Sequence, residues 1–515
     1  SCRGLVNISS MLLILCGLIL LILGYPIAQH QQHQHGGVAG SGLLGLLSKT
    51  SASTVQKASS PRTAAMMVDP DTPEEKKMTV AKDGQPWDLV FSDEFNQDGR
   101  GFGLGQDPHW EAVDLAPSAA MGTLEHYSSD KVTTRNGQLE ITLQRDPTSP
   151  SSAKVHKRDR GGSEWKYTSG MLQSWNKMCF QGGILEVAVS LPGIPSKAGL
   201  KPRVFILGNL ARYGFPASMD GVWPFSTLST PLQCDTSSPL AANSTAPSSS
   251  LAQRLNGCSS GAASLGGISR GAPEMTLLET HYGVQMDPAA IAMATVKVAS
   301  SSSTAFSGSS NSSTAVVETS TPQWVQPVDN RFFSSFSLSS SPLSNNKVQD
   351  EFVKVGLEYW PGSNSTNSNA NDNDAYIQFS LNNQRQPPLL SHAHLQNHVS
   401  ATSYSNNNDN WYKDATSLPS NTLIPQEPMS IVLSLGLLQD ELLLDPELSY
   451  PAVMKIDYIR LYQPRQDQDA KEKGEMSGKR WLSCDPVDHP TAAYIRDHSR
   501  AYSDPGAGTW AEAGY

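Results

Sequence analysis

Apolar and polar positions alternate strictly over residues 138–144, with Leu139, Ile141 and Leu143 on one side. A period of two is what a strand with one buried face requires. Further strand-length apolar runs occupy 183–191, 353–360, 429–438 and 453–462. Clusters of Gly, Pro, Asn and Ser separate these runs, and amphipathic helical patterns do not. The pattern predicts an all-β sandwich rather than an α/β arrangement. Three stretches break it, near 226–268, 297–349 and 361–420. They are Ser- or Asn-rich with few periodic apolar positions, and read as long surface insertions or disordered loops.

One segment is too apolar for that scheme. Residues 11–24 read MLLILCGLILLILG, extended by Leu5, Val6 and Ile8 before it and Ile27 and Ala28 after it. At roughly 20 residues it is long enough to cross a bilayer as a helix. A cleaved signal peptide would end in a small-residue site, and no A-x-A pattern follows, so 1–28 is expected to be an uncleaved anchor. The chain opens on Ser1, which suits a fragment or a processed product. Residues 29–80 read as a flexible stalk, and the His- and Gln-rich tract 30–35 as solvated linker rather than a metal site. The sandwich is then assigned to 81–465, and 466–515 to a tail strapped onto its surface. Acceptor sequons at Asn243, Asn311 and Asn364 fit a domain that enters the secretory lumen. A net charge of -10 leaves no basic footprint for nucleic acid. None of the six cysteines forms a CxxC pair, so no zinc site is expected. Cys179, Cys234, Cys258 and Cys484 follow the apolar segment and allow two disulfides, with three pairings open.

The candidate chemistry sits in Glu274-Met275-Thr276-Leu277-Leu278-Glu279. In a regular strand Glu274 and Thr276 share a face and Glu279 points the other way. One extra residue, a β-bulge, brings Glu279 back to the face of Glu274. Two carboxyls on one face can then approach to about 5–5.5 Å, the separation that retaining glycosidases use. Taken alone, the hexapeptide is better explained by an edge strand with two solvated glutamates.

The runs WDLVFSDEFNQDGR (87–100), DPHWEAVDL (107–115), SGMLQSWNKMCFQGGILEVAVSLPG (169–193), GNLARYGFPASMDGVWPF (208–225), RGAPEMTLLE (270–279) and CDPVDHPTAAYI (484–495) change that balance. Together they resemble the fungal β-glucan synthesis-associated proteins, membrane-anchored relatives of glycoside hydrolase family 16. The resemblance covers nearly the whole chain. It implies a concanavalin-like β-jelly roll with a glycan groove across its concave sheet. It also implies a single-pass type II protein of the endoplasmic reticulum, Golgi or plasma membrane, with the main domain lumenal or extracellular. The implied role is cell-wall β-1,6-glucan assembly by cutting or transferring β-glucan chains, with Glu274 as nucleophile and Glu279 as general acid/base. The expected partners are β-glucan and the membrane. No cofactor is expected; calcium, which some relatives bind, has no ligand set that the sequence marks.

The chain departs from the family pattern at several points. The motif aspartate between the two glutamates is Thr276, which donates one hydrogen bond and carries no charge. Where relatives have Gly-Phe-Trp-Pro-Gly-Ala-Trp, residues 199–205 read GLKPRVF, so Lys201 and Phe205 replace two tryptophans. The aromatic run expected after Leu115 is missing from 116–120. Trp110, Trp175 and Trp223 remain as sugar-stacking candidates, as does Trp360, each weighed against a buried place in the sandwich. Arg270 is a candidate to orient the strand or pair with Glu274, or else a surface arginine, and His281 a candidate sugar contact or a structural residue. These departures set a divergent hydrolase or transglycosylase against a catalytically impaired glycan-binding assembly factor on the same fold.

Overall fold

The alternating runs become the strands of two stacked antiparallel sheets. The principal strands are β1 (Pro86–Asp93), β2 (Gln138–Arg145), β3 (Met171–Gln173), β4 (Gly183–Ser190), β5 (Leu200–Gly208), β6 (Glu274–His281), β7 (Ile291–Lys297), β8 (Val353–Trp360), β9 (Tyr376–Leu381), β10 (Met429–Leu437) and β11 (Ala452–Pro464). Among the described residues three short helices accompany them: α1 (Pro216–Met219), α2 (Ala492–Asp497) and α3 (Ser499–Ser503), the last two following the final strand. The first sheet runs β9-β8-β4-β11-β2, with β1 beside the second half of β11. The second runs β7-β6-β5-β10-β3, with shorter strands at its edges.

This computed structural model describes residues 66–119, 121–145, 165–193, 197–223, 254–255, 265, 270–281, 291–297, 336–337, 352–361, 375–385, 389–390, 416–417, 424–465 and 482–515. The expected anchor, most of the stalk, the three sequons, Cys234 and Cys258, and most of the three insertions lie outside them. Among the described residues no helix is long and apolar enough to cross a membrane.

Inward positions of facing strands fill the space between the sheets. Leu185, Val187, Ile459 and Leu461 meet Val204, Ile206, Ile431 and Leu433 in one apolar cluster. Each such side chain contributes roughly 1.5–3 kcal/mol by leaving water. Strand β10 is buried at every position, outward residues included. A second apolar cluster explains this, because it lies on the outer face of the second sheet. There Phe205, Leu207 and Val432 pack with Tyr494, Ile495 and Tyr502 of the C-terminal segment.

That segment, 482–515, is therefore part of the folded domain. A disulfide joins Cys484 to Cys179 on the second sheet, and so selects one of the open pairings. Asn209, just after β5, donates to Thr491 Oγ1 at 3.0 Å. Arg270 is fully buried, so it is not a surface arginine. It pairs with Glu427 at 2.6 Å rather than with Glu274, and donates to the Pro490 carbonyl at 3.0 Å.

Candidate functional site

The ladder between β5 and β6 slips once. Val204 pairs with Leu278 while Phe205 pairs with Thr276, which leaves Leu277 as the extra residue of a bulge. Met275, Leu277 and Leu278 turn into the core, while Glu274, Thr276 and Glu279 share the outer face. Opposite them on β5 stand Leu207, Phe205 and Arg203, with Lys201 two residues further on. The two glutamates thus meet as a bulge requires, but they do not face each other across an empty cleft.

Arg203 lies between them. Its Nη2 donates to Glu274 Oε1 at 2.7 Å, its Nε to Glu279 Oε2 at 2.9 Å, and its Nη1 to the Tyr213 hydroxyl at 2.9 Å. Each guanidinium nitrogen therefore has its own acceptor, using the planar fork that sets arginine apart from lysine. Lys201 Nζ adds a second cation 3.3 Å from Glu279 Oε1. Phe205 underlies the guanidinium, whose carbon stands 4.2 Å from the ring centroid, and meets Tyr213 edge-on at 5.0 Å. The smaller ring at position 205 thus serves as a floor for Arg203.

The group is closed to solvent, with Glu274, Glu279 and Arg203 at 1, 2 and 5% exposure. Burial works against the charge on Arg203, and the carboxylates of Glu279 and Glu274 more than offset it, holding the guanidinium well above its ordinary value. Burial likewise pushes up the Tyr213 hydroxyl, which Arg203 opposes. Among the described residues two carboxylates meet two cations, and contact with opposite charge favours the ionised carboxyl. Glu279, with a cation on each oxygen, is poorly placed to carry the proton that a leaving sugar oxygen needs. Thr276 Oγ1 donates to Glu274 Oε1 at 3.2 Å and takes the motif aspartate's place without its charge.

The tryptophans part company. Trp223 Nε1 donates to Glu274 Oε2 at 3.1 Å, which places this side chain in the site. Trp175 packs against the same outer cluster as Trp223, but its ring is already taken. Tyr502 stacks on its ring at 5.4 Å and the Arg212 guanidinium stands 4.5 Å from its centroid, so the C-terminal segment occupies the ring expected to stack on sugar. Trp110 is a correction. It is fully buried between the sheets, its Nε1 donates to Asp93 at 2.8 Å, and it has no face to offer a sugar. Trp360 packs on Trp87 at the outer side of the first sheet, away from the carboxylates. The His281 side chain lies outside the described residues. Among the described residues no cluster of His, Cys, Asp or Glu could hold a metal.

Sequence reasoning missed Arg203 and Tyr213. The signal was present, because 201, 203 and 205 alternate onto one face of a strand beside the glutamates.

Comparison with known proteins matches residues 1–515 to the family described as beta-glucan synthesis-associated protein SKN1/KRE6/Sbg1. The Saccharomyces cerevisiae protein SKN1 is 32% identical over 504 residues, covering 95% of this chain and 56% of that protein. KRE6 of the same yeast is 33% identical over 460 residues, covering 87% of this chain and 55% of that protein. The chain thus spans about half the length of the curated relatives it matches. Among solved structures, an endo-beta-1,3-glucanase from Pyrococcus furiosus aligns over 76% of this chain and 99% of its own, with a TM-score of 0.40 and 14% identity. That distance carries no argument about chemistry.

Proposed function

The chain belongs to the SKN1/KRE6/Sbg1 family of β-glucan synthesis-associated proteins, and from that premise we propose that it serves cell-wall β-glucan assembly as a glucan-engaging factor whose glutamate pair is locked out of hydrolysis. The observation that carries this reading is the Arg203 fork, whose nitrogens bind both carboxylates and Tyr213. Retaining hydrolysis needs one free carboxylate to attack the anomeric carbon and one protonated carboxyl to release the leaving oxygen. Here both are tied to cations and out of solvent. The reading extends to β-1,6-glucan as the product served, to a type II anchor at 1–28, and to a lumenal or extracellular domain glycosylated at Asn243, Asn311 and Asn364. Support for the anchor and the lumenal domain comes from the apolar segment and the sequons, and the β-1,6 linkage rests on the family resemblance alone.

A second reading, a β-glucan hydrolase or transglycosylase, is favoured by the bulge that sets both glutamates on one face and by the Trp223 bond to Glu274. It requires Arg203 to withdraw. Glu274 would then displace the leaving chain from the anomeric carbon while Glu279 gave that chain's oxygen a proton. Water or a second sugar hydroxyl, deprotonated by Glu279, would later break the glycosyl-carboxylate bond.

Incubation of the full chain with β-1,3- and β-1,6-glucan oligosaccharides separates the two. The locked reading expects binding with no shortened or extended products by mass spectrometry. It further expects products to appear in Arg203→Ala/Lys201→Trp/Thr276→Asp and to vanish again when Glu274→Gln is added. Products from the unaltered chain that are lost in Glu274→Gln would establish the second reading instead.

A further inference from the structure

A third carboxyl enters the cleft from the side that the glutamate motif does not mark. Glu125 precedes the short strand His126–Tyr127 and is 1% exposed. Its Oε2 accepts from the Leu437 backbone N–H at 3.2 Å. Its Oε1 lies over Gly436, so close that a Cβ there would stand 2.8 Å from it and 3.2 Å from the Tyr127 hydroxyl. Gly436 is the direct partner of Lys201 in the β5–β10 ladder. The carboxyl therefore sits one strand from the root of Lys201, within the reach of a lysine side chain.

The groups facing it come from three elements. Tyr127 belongs to its own strand, Lys201 and Arg203 come from β5 with Tyr213 after it, and the Leu437 N–H comes from β10. Both cations are already matched by Glu274 and Glu279. Among the described residues no cation is then left for an ionised Glu125, a third negative charge held only by hydrogen bonds in a closed space, and a buried charge without a counter-charge is costly.

We propose that Glu125 is the proton-bearing carboxyl of this cleft, and that its ionisation draws the Lys201 ammonium off Glu279 and loosens the lock. The regulatory consequence rests on the glucan-engaging reading of the site; the protonation and the exchange of partners do not. Burial raises the carboxyl above its ordinary value, against hydrogen bonds from the Tyr127 hydroxyl and from the backbone N–H groups of Glu125, Leu437 and Leu124. The sign follows. A raised acid contributes its full share of stability below the ordinary carboxyl value and loses it as pH rises towards the folded value.

The test uses the full chain and Glu125→Gln, a neutral side chain of the same shape. Infrared spectra taken as pH rises above the ordinary carboxyl range should show the carbonyl stretch of a protonated carboxyl that persists in the unaltered chain and is lost in Glu125→Gln. Gly436→Ala, whose Cβ displaces the carboxyl, should lose it too. Across the same window the unfolding equilibrium of the unaltered chain should rise relative to Glu125→Gln by up to about tenfold per pH unit. In a Lys201→Met background, measured against Lys201→Met/Glu125→Gln, the rise should run on to higher pH, because no ammonium takes up the new charge. A stretch that survives in Glu125→Gln overturns the protonation. A rise that ends at the same pH with and without Lys201 overturns the exchange of partners. Neither readout uses glucan, so failure of the functional reading would show separately, as absent binding to the oligosaccharides.

Discussion

Replacing Arg203 by methionine should be among the most damaging single changes in this domain. The residue is 5% exposed and binds two carboxylates at 2.7 and 2.9 Å. Methionine fills much of the same volume, so packing over Phe205 is largely kept while the charge is lost. What remains is a pair of buried glutamates with water excluded and one partly exposed ammonium, beside Glu279. Removing one partner of a buried ion pair costs about 3–5 kcal/mol, which moves the unfolding equilibrium by roughly two to nearly four powers of ten. Neutralising the buried part of the cluster is a different matter. Arg203→Met/Glu274→Gln/Glu279→Gln leaves only the partly exposed Lys201 ammonium charged and should recover most of the loss. Urea titration followed by tryptophan fluorescence measures all three proteins, with an unchanged slope showing that the unfolded states are comparable. Arg203→Met lying within about 0.5 kcal/mol of the unaltered chain, the range of an ordinary surface change, would refute the idea that these charges depend on one another.

Two further changes probe the C-terminal segment that covers the same sheet. Cys484→Ser opens the bridge to Cys179, 305 residues away in sequence, and should cost about 2–5 kcal/mol in the same titration; an unchanged midpoint under non-reducing conditions would show the bridge to be dispensable. Tyr502→Ala removes a ring that is 2% exposed and stacked on Trp175. Its loss should cost roughly 3 kcal/mol and quench or shift the Trp175 emission, whereas an unaltered spectrum would mean that the two rings do not meet.

The sandwich was legible because period-two alternation is a local signal, carried by the residues that form each strand. The clean case of 138–144 became β2 with Leu139, Ile141 and Leu143 in the core. The bulge was legible for a chemical reason, since two glutamates five positions apart share a face only if one residue is inserted between them. Trp110 was misread because a tryptophan in a motif looks the same whether its partner is sugar or Asp93. Only the closing of β1 over the core decides that. Trp175 was misread because its stacking partner is Tyr502, more than three hundred residues away. Glu125 carried no local signal at all: its importance comes from lying over Gly436, and the glycine matters only once Lys201 is known to pair with it.

The substitutions around the glutamates read differently once they share one face. Taken singly, Thr276 looks like a lost aspartate, Lys201 like a lost aromatic and Phe205 like a reduced one. In three dimensions they are one change. An aspartate at 276 would place a third negative charge beside Glu274 and Arg203, where a single guanidinium already serves two acceptors. A tryptophan at 205 would crowd the plane that the guanidinium now occupies. A tryptophan at 201 would take the second cation from Glu279. Each residue is thus the one that lets Arg203 stand between the acids, and restoring any one of them alone should destabilise the cluster without returning a free carboxyl pair. Activity should therefore respond to the set and not to its members. Thr276→Asp by itself should lower stability and yield no glucan products, while the same aspartate introduced with Arg203→Ala and Lys201→Trp should yield them.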